Sequence, residues 1–365
     1  MESELNELIE AVINNDYVKI ENLIDFVNMQ NEENNTSLFF VNNYNTAKLL
    51  LENGANVYIQ NDDGNTPLMC MIGNANHNFG KYYDYIKSRI INYDIIQLLI
   101  DYGSDLNIKN NYGEFPLSLS CLNNDIHLAE ILIYNGAYID NTINNDGYTT
   151  LMIAINKNNL NFVKLLINSG ANIDIKSYYG ETALIISCEY NNLEITKYLI
   201  YSGAKIDLQN NNNETALIIS CEYDNFEAIK LLINNNADIN HIDFIGRNCL
   251  IILCEKFHSP DYTLIKFLII KGININHIDD NGNSAFIYSC KAHEYNIMKL
   301  LLAAGCDVDY NNIYVDNTIK YINNYLNSKE YIIDKNNLQI LINREKSALI
   351  FSSLVLLSDD YLKFI

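Results

Sequence analysis

Positive charge is scarce in this chain of 365 residues: 24 Lys and Arg stand against 45 Asp and Glu, a formal net charge of -21. A protein that grips nucleic acid must neutralise phosphates with a basic face, so that class is excluded, and adsorption to an anionic membrane with it. No signal peptide is expected either, because Glu2, Glu4, Glu7 and Glu10 lie where its positive segment would fall. No apolar run is long enough for a bilayer; Ser347 to Leu357 is far too short. The chain is therefore expected to be soluble and cytoplasmic. Trp is absent and Pro occurs three times, whereas Asn, Ile and Tyr abound. That bias reads as an A+T-rich coding sequence and speaks of origin rather than function. Catalytic motifs are lacking as well: there is no Gly-rich phosphate loop, His-Glu-x-x-His helix or nucleophile elbow. The six histidines are scattered, and His241 and His277 occupy equivalent places in neighbouring repeats, a poor arrangement for one metal ion. No enzyme activity, cofactor or metal is expected.

What the chain does have is a phrase that returns. Corners of Gly-Ala type stand at Gly54, Gly103, Gly136, Gly170, Gly203, Asn236, Gly272 and Gly305, separated by 49, 33, 34, 33, 33, 36 and 33 residues. A second phrase keeps phase with them: Gly64-Asn-Thr-Pro-Leu68, Gly147-Tyr-Thr-Thr-Leu151, Gly180-Glu-Thr-Ala-Leu184, Asn213-Glu-Thr-Ala-Leu217 and Gly282-Asn-Ser-Ala-Phe286. Self-similarity near 33 residues means one supersecondary unit stacked many times. Each unit packs on its neighbours alone, so length does not count domains here. The cysteines share the phase: Cys121, Cys188, Cys221, Cys254 and Cys290 recur at one place in the unit. Equivalent Cα atoms of stacked units lie roughly 10 Å apart, beyond the ~7 Å reach of a disulfide. These thiols are expected to be small buried fillers.

The stretch from Asn210 to Ile242 shows one unit plainly. Asn210 to Asn213 form a turn cluster, and the Thr215 hydroxyl is placed to cap a short helix through Leu217, Ile218, Ile219 and Cys221. Tyr223-Asp224-Asn225 breaks that helix. Phe226, Ile229, Leu231, Leu232 and Ile233 recur at helical spacing and predict a second helix with one apolar face. Asn236 ends it where other units carry a left-handed Gly, and Ala237 to Asn240 lead out in extended form. The unit is turn, helix, turn, helix, extended finger.

This pattern, with its Gly-x-Thr-x-Leu and Leu-Leu-Ile-x-x-Gly-Ala-x-Ile-Asp phrases, resembles the ankyrin repeat family from Met1 to about Asn312. The resemblance implies an all-α ankyrin-repeat solenoid of about nine units: an N-terminal capping repeat at 1–30, an array at 31–312 and a helical C-terminal capping segment at 313–365. The His of the family's Thr-Pro-Leu-His signature is replaced by Met69, Ser118, Met152, Ile185, Ile218, Ile251 and Ile287, and its Pro survives at Pro67 and Pro116. The units thereby trade a side-chain hydrogen bond for apolar burial, and stability should be uneven along the array. Three places break the rhythm. An insertion of about 16 residues falls at about 76–92, a small one lies near His258-Ser259-Pro260, and the Thr36 to Gly54 unit is short enough to stunt its first helix. Beyond Asn312 the phrase fails, and Asp316 to Leu326, Leu338 to Ile342 and Ser347 to Leu357 read as helices. The tail from Phe351 to Phe364 faintly resembles tails on ankyrin proteins of large DNA viruses, which would place the chain in a host-cell cytoplasm.

Family resemblance also implies where a partner binds: a concave face lined by finger tips and the exposed ends of first helices. By phase these positions are Tyr178, Tyr179, Glu181, Glu189 and Tyr190, then Glu214, Glu222 and Tyr223, then Phe244, Ile245, Arg247, Glu255 and Lys256. Glu189, Glu222 and Glu255 form one column, and Tyr190 and Tyr223 form another. Tyr offers large rigid contact area, and carboxylates beside it would steer a basic partner. The expected function is non-enzymatic protein–protein interaction by a monomeric scaffold. The alternatives are an adaptor that recruits a host ubiquitin ligase through 313–365, and a structural spacer. Asn107, Asn240 and Asn276 also resemble positions that asparaginyl hydroxylases modify in ankyrin proteins.

Overall fold

A computed structural model of the chain describes residues 2–73, 91–143, 146–256 and 261–308. Over these residues the protein is all-α, with nine successive helix pairs and one antiparallel hairpin, Thr142–Ile143 with Tyr148–Thr149. Two compact units are present, Met1–Ile186 and Ser187–Ile365. The first holds α1 (Glu2–Asn14) with α2 (Tyr17–Asn22), a 3-10 turn (Ser37–Phe40) with α3 (Tyr44–Glu52), and α4 (Pro67–Ile72) with α5 (Tyr93–Asp101). It continues through α6 (Pro116–Leu122) with α7 (Ile126–Tyr134) and α8 (Thr150–Asn156) with α9 (Leu160–Asn168). The boundary falls within α10 (Ala183–Glu189), which precedes α11 (Leu193–Tyr201). The second unit goes on with α12 (Ala216–Glu222) and α13 (Phe226–Asn234), α14 (Cys249–Glu255) and α15 (Tyr262–Ile270), and α16 (Ala285–Lys291) and α17 (Tyr295–Ala304). The helices expected around Leu217 and Phe226 lie where the spacing put them. The stunted first helix is the 3-10 turn, whose four side chains are all buried. The insertion near 76–92 falls almost wholly, and the His258 insertion and 313–365 wholly, outside the described residues.

The two helices of a pair bury themselves differently. First helices within the second unit are covered on nearly all sides: Ala216 to Cys221 of α12 and Cys249 to Cys254 of α14 are buried throughout. Second helices bury one stripe, such as Ala228, Ile229 and Leu232 of α13, and leave the rest to solvent. Seven of the eight cysteines are buried, Cys306 is half-buried, and all are free thiols. Burial pushes Cys121 and Cys254 up to about 12 and Cys188 to about 11, as apolar packing of a thiol demands.

Side-chain caps set where first helices begin. Thr215 accepts the Ile218 N–H at 3.4 Å, Thr182 that of Ile185 at 3.3 Å, and Asn248 that of Ile251 at 3.0 Å. The residues in the place of the family His are buried. Ser118 departs from the apolar trade expected there. Phe115 cannot cap α6, and the Ser118 hydroxyl takes over, accepting the Phe115 N–H at 2.9 Å. Second helices end in left-handed corners. Gly203 (φ 92) and Asn236 (φ 67) each close two bonds to the preceding helix; those at Gly203 run from its own N–H to Ile200 at 3.0 Å and from Ala204 to Leu199 at 3.1 Å. The residue after each corner turns inward, where Ala55, Ala137, Ala171, Ala204 and Ala237 are buried.

Ser104 occupies that inward slot with a buried hydroxyl that meets no hydrogen-bond partner among the described residues. Ser104→Ala should therefore raise stability by about 1 kcal/mol; a lower urea midpoint in the variant would show that the hydroxyl is satisfied. Gly147 has φ +72, and a methyl there would sit 2.8 Å from the Tyr178 ring, whereas Gly170 at φ +96 faces open space. Gly170→Ala should cost about 1 kcal/mol of backbone strain, and Gly147→Ala clearly more, since the ring must also move. Equal urea midpoints for the two variants would refute the close approach.

Candidate partner-binding surface

The fingers owe their shape to short polar side chains. Asn110 Oδ1 accepts the N–H groups of Tyr112 and Glu114 at 3.0 and 2.9 Å, and Asn210 Oδ1 those of Asn212 and Glu214 at 2.9 Å each. Asp243 and Asp279 do the same one and two repeats later. The residue four places on then folds back: Glu114 onto Asn110 at 2.8 Å, Glu181 onto Ser177 at 3.1 Å, Glu214 onto Asn210 at 2.6 Å. Finger tips are tied to one another through backbone, as in Tyr178 N–H to Asp146 C=O and Phe244 N–H to Asn212 C=O, both 2.9 Å.

In the first unit, Tyr178, Tyr179 and Glu181 belong to one finger. Tyr178 and Tyr179 are 67% and 56% exposed. The Tyr178 ring covers Gly147, and the Tyr179 hydroxyl donates to Asp146 Oδ1 at 3.2 Å. That hydrogen bond and the Asp146 charge raise the Tyr179 phenol above its ordinary range. Glu181 accepts from Tyr148 Oη at 3.0 Å. These side chains are positioned by the preceding repeat.

In the second unit, Arg247 gathers the carboxylates. Its Nε donates to Asp243 at 2.7 Å, and its two terminal nitrogens donate to Glu255 and Glu222, both at 2.9 Å. A guanidinium can serve three carboxylates at once because its donors fan out in a plane. Burial works against its charge, but the bonds from Glu255 and Asp243 outweigh that and hold it protonated. Glu222 goes the other way. Burial and the nearby Glu214 charge raise its pKa, and Arg247 offsets this only in part. Lys256 pairs with Asp224 at 2.7 Å and caps the end of α12, donating to the Cys221 and Glu222 carbonyls at 2.9 and 2.6 Å. With Tyr223 and Ile252 these groups line a cleft of about 290 Å³. The Tyr223 hydroxyl donates to Glu189 at 3.5 Å, while its ring is 53% exposed; Tyr190 is 49% and Phe244 70% exposed.

The residues expected at the surface thus divide. Glu222, Arg247 and Glu255 meet in one network, Tyr223 joins Glu189, and Tyr190 and Phe244 present open area. Glu214 and Glu181 close their own turns. Asn107, Asn240 and Asn276 accept the N–H groups of Tyr138, Asn274 and Asp307 at 2.8, 2.7 and 2.8 Å, one repeat on. Sequence reasoning missed the Arg247 hub and the Lys256 cap. The signal was a basic residue, four places after an Asp, in a column that holds Glu114, Glu181 and Glu214 and is otherwise uncharged at Asn65, Tyr148 and Asn283. His241 and His277 each donate Nε2–H to a carbonyl of the preceding finger, Asn213 at 2.6 Å and Gly246 at 2.8 Å. Among the described residues, no three His, Cys, Asp or Glu are grouped to hold a metal ion, and no helix is long and apolar enough to cross a membrane.

A raised folded-state pKa means that the native protein holds the Glu222 proton more tightly than the unfolded chain does. This group's contribution is present in full below the ordinary carboxylate range and is lost as pH rises through the raised value. Glu222→Gln should match the parent near pH 4 and exceed it in urea midpoint at pH 7; the reverse trend would mean that the Arg247 pair outweighs burial. Arg247→Ala strands three carboxylates and should cost on the order of 2–3 kcal/mol at pH 7, with the deficit shrinking in acid.

A family model described as ankyrin repeats in three copies matches residues 86–177, 175–243 and 243–312, and one described as ankyrin repeats in many copies matches residues 42–82. No curated protein matches the chain.

Proposed function

We propose that this chain, which belongs to the ankyrin repeat family, is a non-enzymatic cytoplasmic scaffold that binds a basic protein partner on its finger and first-helix side. Repeats of this family generally mediate protein–protein interaction. The observation that carries the finer reading is charge segregation in the second unit. Its finger and first-helix stretches, 203–224, 237–256 and 273–293, hold nine acidic against four basic residues. Its second-helix stretches, 193–202, 225–236, 261–272 and 294–306, hold four against five. Arg247 fixes Glu222 and Glu255 in place without neutralising the side as a whole, so the remaining field steers a cationic partner. Tyr190 and Tyr223 supply rigid aromatic area beside it, which favours a binding role over that of a spacer.

The test uses quantitative capture of host-lysate proteins by the chain as a monomer, followed by affinity measurement on the purified partner. Tyr190→Ala with Tyr223→Ala should weaken binding by about tenfold or more, and raising salt should slow association. Loss of a ubiquitin-ligase component on removal of 313–365, with the Tyr variant unaffected, would replace this reading by the adaptor one. Capture of no partner would leave a spacer, and a partner lost in neither case would move the binding surface elsewhere on the chain.

A further inference from the structure

The last two described fingers invert a polarity pattern that four earlier ones keep. Five and six residues past the helix corner, those four carry Ile59-Gln60, Ile108-Lys109, Ile175-Lys176 and Leu208-Gln209, and the finger after Gly136 carries Asn141-Thr142. At the same two places stand His241-Ile242 and His277-Ile278. Neighbouring residues of an extended segment point to opposite sides, so a slipped register would explain the swap without any change of surface. The register has not slipped. Asp243 and Asp279 still close their turns, 5% and 4% exposed, and Asp280 N–H still reaches Ile245 C=O at 3.2 Å. The apolar side chain has moved to the outward side, where Ile242 is 40% and Ile278 57% exposed.

The polar residue at the outward place latches fingers elsewhere: Gln60 Nε2 donates to Lys109 C=O at 3.1 Å, and Lys109 Nζ to Thr142 C=O. In the last two fingers the histidines take over that task, through the bonds to Asn213 and Gly246 already described. Ile242 and Ile278 are thereby released from any part in joining the fingers, and each leaves about half of its surface to solvent. Phe244 lies two residues beyond Ile242 on the same outward side, and the fingers are tied at Asn240–Asn274, Gly246–His277 and Ile245–Asp280. The three side chains therefore form one apolar patch. Of the exposed carboxylates on these fingers, Asp280 lies two residues beyond Ile278 and Asp238 four before Ile242, with Asp207 accepting the Asp238 N–H at 3.0 Å.

We propose that Ile242, Phe244 and Ile278 form a docking surface for an amphipathic segment of a protein partner, with apolar anchors set between lysines or arginines. The inference rests on the interaction reading above and names the chemistry of its partner. The anchors bury against the two isoleucines and Phe244, and the flanking cations meet Asp207, Asp238 and Asp280.

Three synthetic peptides on the full chain test it by fluorescence anisotropy: a Leu/Lys amphipathic helix, a Leu/Glu counterpart and a Ser/Lys peptide of equal charge. Ile242→Gln with Ile278→Gln installs the residue that Gln60 and Gln209 already place there, so thermal unfolding should be unchanged. The Leu/Lys peptide should bind the parent best and the double variant about tenfold more weakly, the loss expected when two apolar contacts are removed. Should the double variant unfold early, Ile278→Gln alone carries the comparison, with a loss of about threefold. Equal binding to parent and variant overturns the proposal, as does Ser/Lys or Leu/Glu binding that matches Leu/Lys. Concentration-dependent dimers in the ultracentrifuge, abolished by the double variant, would overturn it in favour of a second copy of the chain. The Tyr190/Tyr223 variant separates the two readings. If that pair matters and the isoleucines do not, the interaction reading stands and the docking surface falls; if no peptide binds the parent, the docking surface falls, and the interaction reading is decided by partner capture with the Tyr190/Tyr223 variant.

Discussion

Unpaired backbone N–H groups at tight turns are the constraint on which the rest of this structure depends. A repeat of about 33 residues reverses direction several times, and each reversal exposes donors that no helix can satisfy. Here short polar side chains supply the acceptors. Asn225 caps α13 through the Ala228 N–H at 3.2 Å, Asn210 closes a finger turn, and Asn240 reaches the Asn274 N–H of the following repeat. Asn also adopts the left-handed backbone between helices, as at Asn124, Asn158 and Asn191, and substitutes for Gly at Asn213 and Asn236. A residue that tolerates positive φ and accepts N–H bonds locally suits every one of these places. The abundance of Asn has a structural use, whatever coding bias first supplied it.

Once the turns are satisfied by their own side chains, the finger surface becomes a matter of which groups remain. Glu114, Glu181 and Glu214 look like available negative charge in the sequence, yet each is held against the residue four positions earlier. Arg247 reverses the charge at that place, and the reversal propagates: its guanidinium draws Glu222 from the repeat before and Glu255 from its own helix. One substitution in a turn thus converts a column of separate carboxylates into a fixed network beside Tyr223. Fixed side chains lose little freedom on binding, and Tyr has few rotatable bonds to freeze.

The repeat architecture was legible because periodicity acts on every unit alike. The corners at Gly170, Gly203 and Gly305, the Thr caps and even the stunted helix at Ser37–Phe40 followed from phase and spacing. Helix pairs are local objects, and their signals lie within a few residues of one another. The surface was less legible because its chemistry is set between repeats. That Tyr223 reaches Glu189, or that Lys256 from the equivalent place reaches the end of α12 instead, depends on side-chain length across a stacking distance. Phase alone does not reveal such reach. Columns read by phase named the right neighbours and left open which of them were already engaged. Ile242 and Ile278 escaped notice for a related reason: isoleucine is common in this chain, and its meaning appears only against the Gln and Lys of the other fingers.

A repeat protein can alter one face without risking its fold because the joints between fingers are redundant. Neighbouring fingers in the second unit are linked near the base, midway and at the tip, as Asn240–Asn274, His277–Gly246 and Asp280–Ile245 show. Moving the midway link from an outward amide to a histidine ring leaves the other two in place, so the change at the outward position costs little stability. The same exchange in a single-core domain would place isoleucines outside and imidazoles inside with no second set of links to hold the strand. Stability that sums over neighbour contacts, as in stacked repeats, tolerates such local exchange. The two fingers that made it also stand next to the Arg247 network, so apolar area and ordered carboxylates meet on the same side of one unit.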